Sequence, residues 1–149
     1  MAEPGGVGNR MKPEHFLSRV QHQQIVEAIH NAERNTTGEI RVFISHGAVA
    51  DPLSAARRQF QKLQMHHLFH RNGILIFVAP RSQTFAVIGD QAVHDRVGDA
   101  AWQSMANGMA DHFKNDRYMQ AIDFGIEQAG QLLAAHFPKH APTDEKRKS

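Results

Sequence analysis

Apolar residues recur in the N-terminal part of the chain with the period of a helix. They stand three or four positions apart, as on one face of an amphipathic helix, at Ile25, Ala28, Ile29 and Ala32. Thr36, Thr37 and Gly38 follow as a stop signal. We therefore predict a first helix over residues 13–35.

Three later segments have the patterns of β-strands. Residues 39–45, EIRVFIS, alternate apolar and polar side chains except at Phe43, which indicates a strand buried on both faces near its middle. Residues 73–79, GILIFVA, contain no polar side chain and are typical of a fully buried strand. The four residues PRSQ separate them from TFAVIG, residues 84–89, and this short loop predicts an antiparallel hairpin.

Further helices are predicted between the strands and after them. Asp51 and Pro52 form a good helix start, because the carboxylate can accept free N–H groups and proline is preset for the first turn. The expected apolar face of this helix is Leu53, Ala56, Phe60 and Leu63. Two stripes predict two C-terminal helices: Trp102, Met105, Met109 and Phe113, then Tyr118, Ile122, Ile126, Ala129 and Leu133. Small residues at Ala121, Gly125 and Ala129 should let the last helix approach a neighbour closely.

The predicted order is helix, strand, helix, strand, strand, helix, helix. A strand, helix, strand unit crosses over with a right hand and makes its two strands parallel, and the hairpin adds an antiparallel third strand. The fold class is therefore α/β, a three-layer α/β/α sandwich with a small mixed sheet. We predict a flexible arm over residues 1–12, one domain over 13–138 and a disordered basic tail over 139–149.

Composition narrows the possible functions. The chain has 149 residues and no cysteine, which excludes disulfides and a thiol nucleophile. No signal-peptide pattern is present, and the longest apolar run, residues 74–80, is too short to span a membrane, so we expect a cytoplasmic protein. The net charge is only +2, with basic residues gathered in the tail. The missing basic face on the domain argues against nucleic acid as a partner.

The predicted topology brings polar residues to one edge of the sheet. Parallel strands would start there at Glu39 and Asn72, and the antiparallel strand would end there at Asp90, so Glu39, Arg71, Asn72 and Asp90 should meet, with Asp95 one turn further on. One interpretation is capping and salt bridging, with Asp90 capping the chain from Gln91 onward. In another, oxygen ligands from Asp90, Asp95, Asn72 and Glu39 hold Ca²⁺ or another divalent cation. In a third, Arg71 binds a phosphate group.

A second possible metal site is the histidine-rich turn. His66 and His70 stand four positions apart and would share a face if the helix continued, but the apolar stripe ends near Leu63, so solvated turn histidines are the preferred interpretation. No P-loop, nucleophile elbow or Rossmann glycine motif is present. Ser45 and His46 are strand neighbours and point to opposite faces, so the catalytic residues, if any, are unknown.

Several segments together resemble the TPM domain family, the TLP18.3, Psb32 and MOLO-1 group, and its soluble bacterial branch in particular. They are AERNTTGEIRVFIS, RNGILIFVA and FAVIGD, followed by Trp102 and the closing AHFP, and they cover residues 21–138. Where metal-binding members carry an aspartate before Asn72 and Gly73, this chain has Arg71. The turn after the third strand keeps Gly89 and Asp90 but has Ala92 for its second glycine.

The resemblance implies two classes of function. One is a binding module, with an unknown protein partner or a phosphorylated ligand, that acts in stress response or complex maintenance. The other is a phosphomonoesterase of the acid-phosphatase kind that depends on a divalent cation such as Ca²⁺. We favour the binding module, because the residues supply no pair of nucleophile and base.

Overall fold

The computed structural model describes residues 19–68 and 70–139. The described helices are α1 Arg19–Ala32, α2 Pro52–Lys62, α3 Gln91–Arg96, α4 Asp99–Lys114 and α5 Tyr118–His136, and the described strands are β1 Glu39–Ile44, β2 Gly73–Ala79 and β3 Thr84–Gly89. Short 3-10 turns follow α1 at Glu33–Asn35, precede β2 at Met65–His67 and join β2 to β3 at Pro80–Ser82.

The sheet is mixed, with the strand order β1, β2, β3. β1 and β2 are parallel, with Glu39 opposite Gly73, and β2 and β3 are antiparallel, with Ile74 opposite Gly89. The central strand β2 is buried along its whole length, as its apolar sequence predicted. The predicted parallel pair and antiparallel hairpin strand are confirmed.

Helices cover both faces of this sheet, as in an α/β/α sandwich. Alternate side chains of β2 enter two separate apolar clusters, because successive residues of a strand point to opposite faces. Ile74, Ile76 and Val78 pack in the cluster that contains α1, α4 and α5 residues. On the other face, Leu75 and Phe77 pack with the α2 residues Ala56 and Phe60.

α2 begins as the sequence predicts and packs less completely than expected. Asp51 is its N-cap, and the Oδ1 atom accepts hydrogen bonds from the backbone N–H groups of Leu53 at 3.2 Å and Ser54 at 3.4 Å. Ala56 and Phe60 are buried, but Leu53 and Leu63 are 42% and 40% exposed, so the predicted apolar face is buried only in its middle. The helix lies against β2 and β3, and Leu53 and Leu63 lie outside the apolar cluster.

The last helix makes the close approach that its small residues predicted. A Cβ atom on Gly125 would lie 2.8 Å from the Met109 Sδ atom of α4. One on Gly130 would lie 2.8 Å from the Ala32 Cβ atom of α1. α5 therefore touches both neighbouring helices at positions where only glycine fits without displacement.

The ends of the predicted elements differ in detail from the structure. Residues 13–18 of the predicted first helix, the arm 1–12 and residues 140–149 of the tail lie outside the described residues, so the domain limits stay predictions. The short helix α3 was not in the predicted order of elements. Within the part that the structure describes, no helix is both long and apolar enough to cross a membrane.

Candidate functional site

The strongest polar contact at the predicted sheet edge joins Arg71 to Asp90. The Arg71 Nε and Nη2 atoms donate hydrogen bonds to the Asp90 Oδ2 and Oδ1 atoms, each at a distance of 2.8 Å. The Asp90 side chain is 5% exposed and the Arg71 side chain 46% exposed. The hydrogen bonds from Arg71 to Asp90, with the Coulomb attraction between the two charges, raise the pKa of the guanidinium. The guanidinium thus uses one planar edge on a carboxylate of its own chain.

The backbone around this ion pair is constrained. Arg71 has a φ angle of 53°, the left-handed region that non-glycine residues seldom adopt. The Arg71 carbonyl accepts a hydrogen bond from the Ala92 N–H at 3.2 Å. Asp90 also caps α3, since its Oδ1 atom accepts from the Gln91 N–H at 2.7 Å. The capping interpretation therefore describes what Asp90 does.

The remaining residues predicted at this edge each contact another partner. Asn72 is buried, and its Nδ2 atom donates to the Thr37 Oγ1 atom at 3.0 Å. Glu39 forms an ion pair with Arg41 at 2.6 Å, and both side chains are more than one-third exposed. The edge is therefore a set of separate local pairs and does not converge on one point.

This geometry does not fit a resident divalent cation. Asp90 already accepts hydrogen bonds from Arg71 and Gln91, so a cation would have to displace a guanidinium from the carboxylate. Asp95 lies exposed on α3. Among the described residues, no group of three or more His, Cys, Asp and Glu side chains could hold a metal ion. Metal binding by Asp90 and Asp95 stays a prediction without support from the geometry.

A second candidate surface is the outer edge of β3. The Asp90 N–H donates to the Gly73 carbonyl at 2.9 Å, which fixes the alternation of hydrogen bonds along the antiparallel pair. By this alternation Thr84, Ala86 and Ile88 direct their backbone groups to β2. The N–H and C=O groups of the other residues, Phe85, Val87 and Gly89, therefore point away from the sheet. No hydrogen bond joins these groups to another residue that the structure describes.

A groove of about 910 Å³ runs along this edge. α2 forms one wall with Leu53 and Arg57, and α4 forms the other with Trp102 and Ala106. The indole lies directly on Gly89, where a Cβ atom would be 2.7 Å from its Cζ2 atom. The Trp102 Nε1 atom is buried and has no acceptor among the described residues. The groove thus combines apolar side chains and the charged Arg57 with backbone groups that pair with no other described residue.

The outer side of β1, which is the edge strand opposite β3, is partly closed. The Glu33 Oε2 atom accepts a hydrogen bond from the Ile40 N–H at 2.7 Å, on the side of β1 that faces away from β2. Glu33 belongs to the 3-10 turn after α1, and its charged side chain occupies an outward N–H of the edge strand, which hinders pairing with another strand there. The two edges therefore differ, and β3 offers the more accessible one.

A third feature is an acidic groove of about 680 Å³ between α1 and α5. Glu27, Asp123 and Glu127 lie along it. Burial raises the pKa of Asp123, and the nearby charge of Glu127 raises it further. The charge on Asp123 is therefore unfavourable in the folded protein.

Comparison with known families agrees with this fold. The model of the TPM domain matches residues 11–132, which is most of the chain. The chain belongs to the TPM domain family. None of the curated proteins matches this TPM domain.

Solved structures show the same architecture. The TPM domain is similar to the BA42 protein from the psychrophilic bacterium Bizionia argentinensis, with 38% identity, a TM-score of 0.79 and coverage of 89% of this chain and 91% of that one. Two further similar structures share the fold at low identity. One is the N-terminal domain of the cg2496 protein from Corynebacterium glutamicum, with 17% identity, a TM-score of 0.59 and coverage of 78% of this chain and 74% of that one. The other is the N-terminal domain of a P. gingivalis protein, with 15% identity, a TM-score of 0.63 and coverage of 92% of this chain and 94% of that one.

The turn histidines His66 and His70 of this TPM domain do not share a helical face. α2 ends at Lys62, and His66 lies in a separate 3-10 turn that is followed by extended backbone at Leu68. The His66 and His67 rings are 4.1 Å apart and tilted by 54°. The four-residue spacing of His66 and His70 therefore does not place the two imidazoles as it would on a helix.

Sequence reasoning did not identify the β3 groove. Trp102 was assigned to a core stripe, yet it also lines this groove beside Gly89. Nothing in the sequence indicated that Arg57 lines a groove, because charged residues on a helix are usually solvated. The hairpin prediction contained the useful hint, since a strand paired only with β2 leaves a second edge unpaired.

Proposed function

We propose that this TPM domain is a protein-binding module that accepts an extended segment of a partner protein along the outer edge of β3. The observation that carries the proposal is the row of backbone groups at Phe85, Val87 and Gly89, which point away from β2 and pair with no other described residue, beside a groove lined by apolar side chains and by Arg57. Adding a strand to an exposed sheet edge is a recurrent mode of peptide recognition. Such a module fits the complex-maintenance role that the family resemblance implies.

The physical basis is complementarity of the backbone. An extended segment presents N–H and C=O groups at the strand repeat, so it can pair with the outward groups of β3. Each hydrogen bond contributes about 0.5–1.5 kcal/mol net. Contact with Leu53 and Trp102 removes apolar surface from water and adds about 25 cal/mol per Å² buried.

The contacts among the polar residues at the ends of the strands favour binding over catalysis. Arg71 and Asp90 pair with each other, Asn72 with Thr37, and Glu39 with Arg41. Catalysis by general acid and base needs groups that can reach a substrate in a defined geometry. The first two pairs instead join separate chain segments, and the third lies within β1.

Proline substitution at the edge tests the proposal. Val87→Pro removes an outward N–H that β2 does not use, and proline is tolerated on edge strands for that reason. Peptides selected from a random displayed library on the purified protein should bind the wild type, slow amide exchange at Phe85, Val87 and Gly89, and lose affinity for Val87→Pro.

The matched control is Val42→Pro on the opposite edge. The Ser45 N–H donates to Val78, so alternation along β1 points the Val42 N–H away from β2. Binding should survive in this variant. Equal binding to folded Val87→Pro, or loss of binding only in Val42→Pro, would contradict the proposal.

A second candidate is phosphomonoesterase activity, favoured by the 46% exposure of the Arg71 side chain despite its ion pair. An incoming phosphate could compete with Asp90 for the guanidinium. Hydrolysis of p-nitrophenyl phosphate across pH, with and without Ca²⁺, tests this function. Turnover that is unchanged in Asp90→Ala and Arg71→Ala would show that these residues are not the site.

A further inference from the structure

We infer that the β3 groove selects an extended segment in which carboxylate and apolar side chains alternate. This inference rests on the proposed function and specifies the partner of the same site. It follows from the charge of one wall of the groove, the apolar character of the other, and the alternation of side chains in a strand.

The α2 wall of the groove is cationic. Within its sequence, PLSAARRQFQK, α2 has three basic residues and no carboxylate. Of these, Arg57 lines the groove next to the outer edge of β3. Asp51 precedes the helix and interacts with Arg57 through space, but its oxygens already accept hydrogen bonds at the N-cap. A carboxylate on the partner would complement this wall.

The α4 wall offers apolar side chains to the strand. Trp102 and Ala106 line it together with the uncharged Gln103, and Asp99 lines it at the first residue of α4. The β3 side chains Phe85 and Val87 pack in the apolar cluster on this same side of the sheet. An apolar side chain of the partner would extend that cluster, because residues on one face of paired strands are neighbours.

Because alternate residues of an added strand face different walls of the groove, we expect the groove to prefer a particular alternation in the sequence of the partner. Successive residues of β3 alternate, with Ala86 and Ile88 in or against the α2-side cluster and Phe85 and Val87 on the α4 side. A strand added to this edge continues the same pleat, so its odd and even residues face different walls. Carboxylates would face Arg57 while apolar residues face Trp102.

A second copy of the chain is a less suitable occupant of this groove. Its own β3, TFAVIG, has no carboxylate to place opposite Arg57. Symmetric pairing of two β3 strands would therefore leave the cationic wall uncomplemented. Charge favours an acidic partner segment.

Defined peptides test the inference. Three blocked peptides are needed, each as long as the six residues of β3: alternating valine and glutamate, alternating valine and lysine, and a valine block followed by a glutamate block. Trp102 is the only tryptophan of the chain, so its fluorescence reports directly on the groove. The alternating glutamate peptide should bind roughly tenfold more tightly than the lysine peptide, since exposed charge pairs are individually weak.

Two neighbouring arginines provide a matched control. Arg57→Gln should remove most of the preference for glutamate over lysine, while Arg58→Gln, which changes a residue that does not line the groove, should keep most of it. Raising the salt concentration should reduce the preference in the wild type, because exposed charges are screened.

The outcomes separate this inference from the proposed function. Equal binding of the glutamate and lysine peptides, or a preference that persists in Arg57→Gln, overturns the charge assignment, while strand binding itself can stand. Equal binding of the block peptide overturns the alternation. A concentration-dependent dimer in sedimentation that Val87→Pro abolishes would assign the edge to a second copy and overturn the inference. If displayed peptides also fail to bind at β3, the proposed function fails.

Discussion

Arg71 and Asp90 tie the segment that leads into β2 to the residue after β3 through two parallel hydrogen bonds, each 2.8 Å long. The same carboxylate caps α3 through the Gln91 N–H. One side chain therefore fixes three features: the entry into the central strand, the exit from the edge strand and the start of a helix. This junction stands at one end of the β3 groove, which includes Gly89 and Gln91.

Two substitutions of Asp90 should separate the roles of this carboxylate. Asn is a good N-cap residue, so Asp90→Asn keeps the cap of α3 and loses the ion pair. Asp90→Ala loses both, and we expect it to be less stable than Asp90→Asn by about 1 kcal/mol, the usual contribution of a cap. Urea unfolding of both variants measures this difference, and equal stabilities would show that the cap contributes nothing.

Salt provides an independent check of the ion pair. Arg71 is partly exposed, so salt should weaken its attraction to Asp90. The stability difference between the wild type and Asp90→Asn should therefore shrink as salt rises. The difference between Asp90→Asn and Asp90→Ala should stay constant, since backbone capping by a neutral amide is not screened.

A second prediction concerns the buried amide of Asn72. Its Nδ2 atom donates to the Thr37 Oγ1 atom at 3.0 Å and links the start of β2 to the segment before β1. We expect Asn72→Ala to destabilise the protein by about 1–3 kcal/mol, because a buried polar contact is lost. A double-mutant cycle with Thr37→Val should show a coupling energy of about 0.5–1.5 kcal/mol. Additive effects of the two substitutions would mean that the hydrogen bond is not significant in solution.

The sequence allowed the fold and the common end of the three strands to be predicted, but not the pairing of the polar side chains there. The apolar run of β2 indicated the central strand, and topology then placed Glu39, Asn72 and Asp90 at one edge. Which side chain meets which depends on backbone directions such as the left-handed φ angle of Arg71, and no periodic pattern encodes these. The ion pair could therefore not be distinguished in advance from a phosphate or cation site.

The groove was beyond sequence reasoning for a related reason. Its width depends on how far α2 and α4 stand apart across β3, which is set by packing between elements distant in sequence. α3 was missed because it has only six residues, with Val93 as its one buried member, too few to produce a helical stripe. Predictions from the sequence pattern succeeded for elements with several buried residues at regular spacing. They failed for features that depend on one contact or one buried residue.

A third prediction concerns the contact between α1 and α5. A Cβ atom on Gly130 would lie 2.8 Å from the Ala32 Cβ atom and 3.1 Å from the Ala32 carbonyl oxygen. Gly130→Ala should destabilise the protein by about 1–3 kcal/mol, since backbone atoms cannot move aside easily. Gly47→Ala is the matched control, because nothing lies within 4 Å of its added Cβ atom. Equal changes in the free energy of unfolding for both variants would contradict the close contact.

The last prediction follows from the raised pKa of Asp123. Burial is the larger cause and the charge of Glu127 the smaller one, so the folded protein holds this proton to a higher pH than the unfolded chain, whose carboxyl has the ordinary value of 3.8. Between these two pKa values the folded state binds more protons, and stability falls as pH rises. Asp123→Asn should therefore increase the melting temperature at pH 7 and change it little at pH 3, as measured by thermal unfolding. Glu127→Gln, which removes only the smaller cause, should give a smaller gain at pH 7. The same gain for Asp123→Asn at both pH values would show that ionisation of this carboxyl is not the source of the effect.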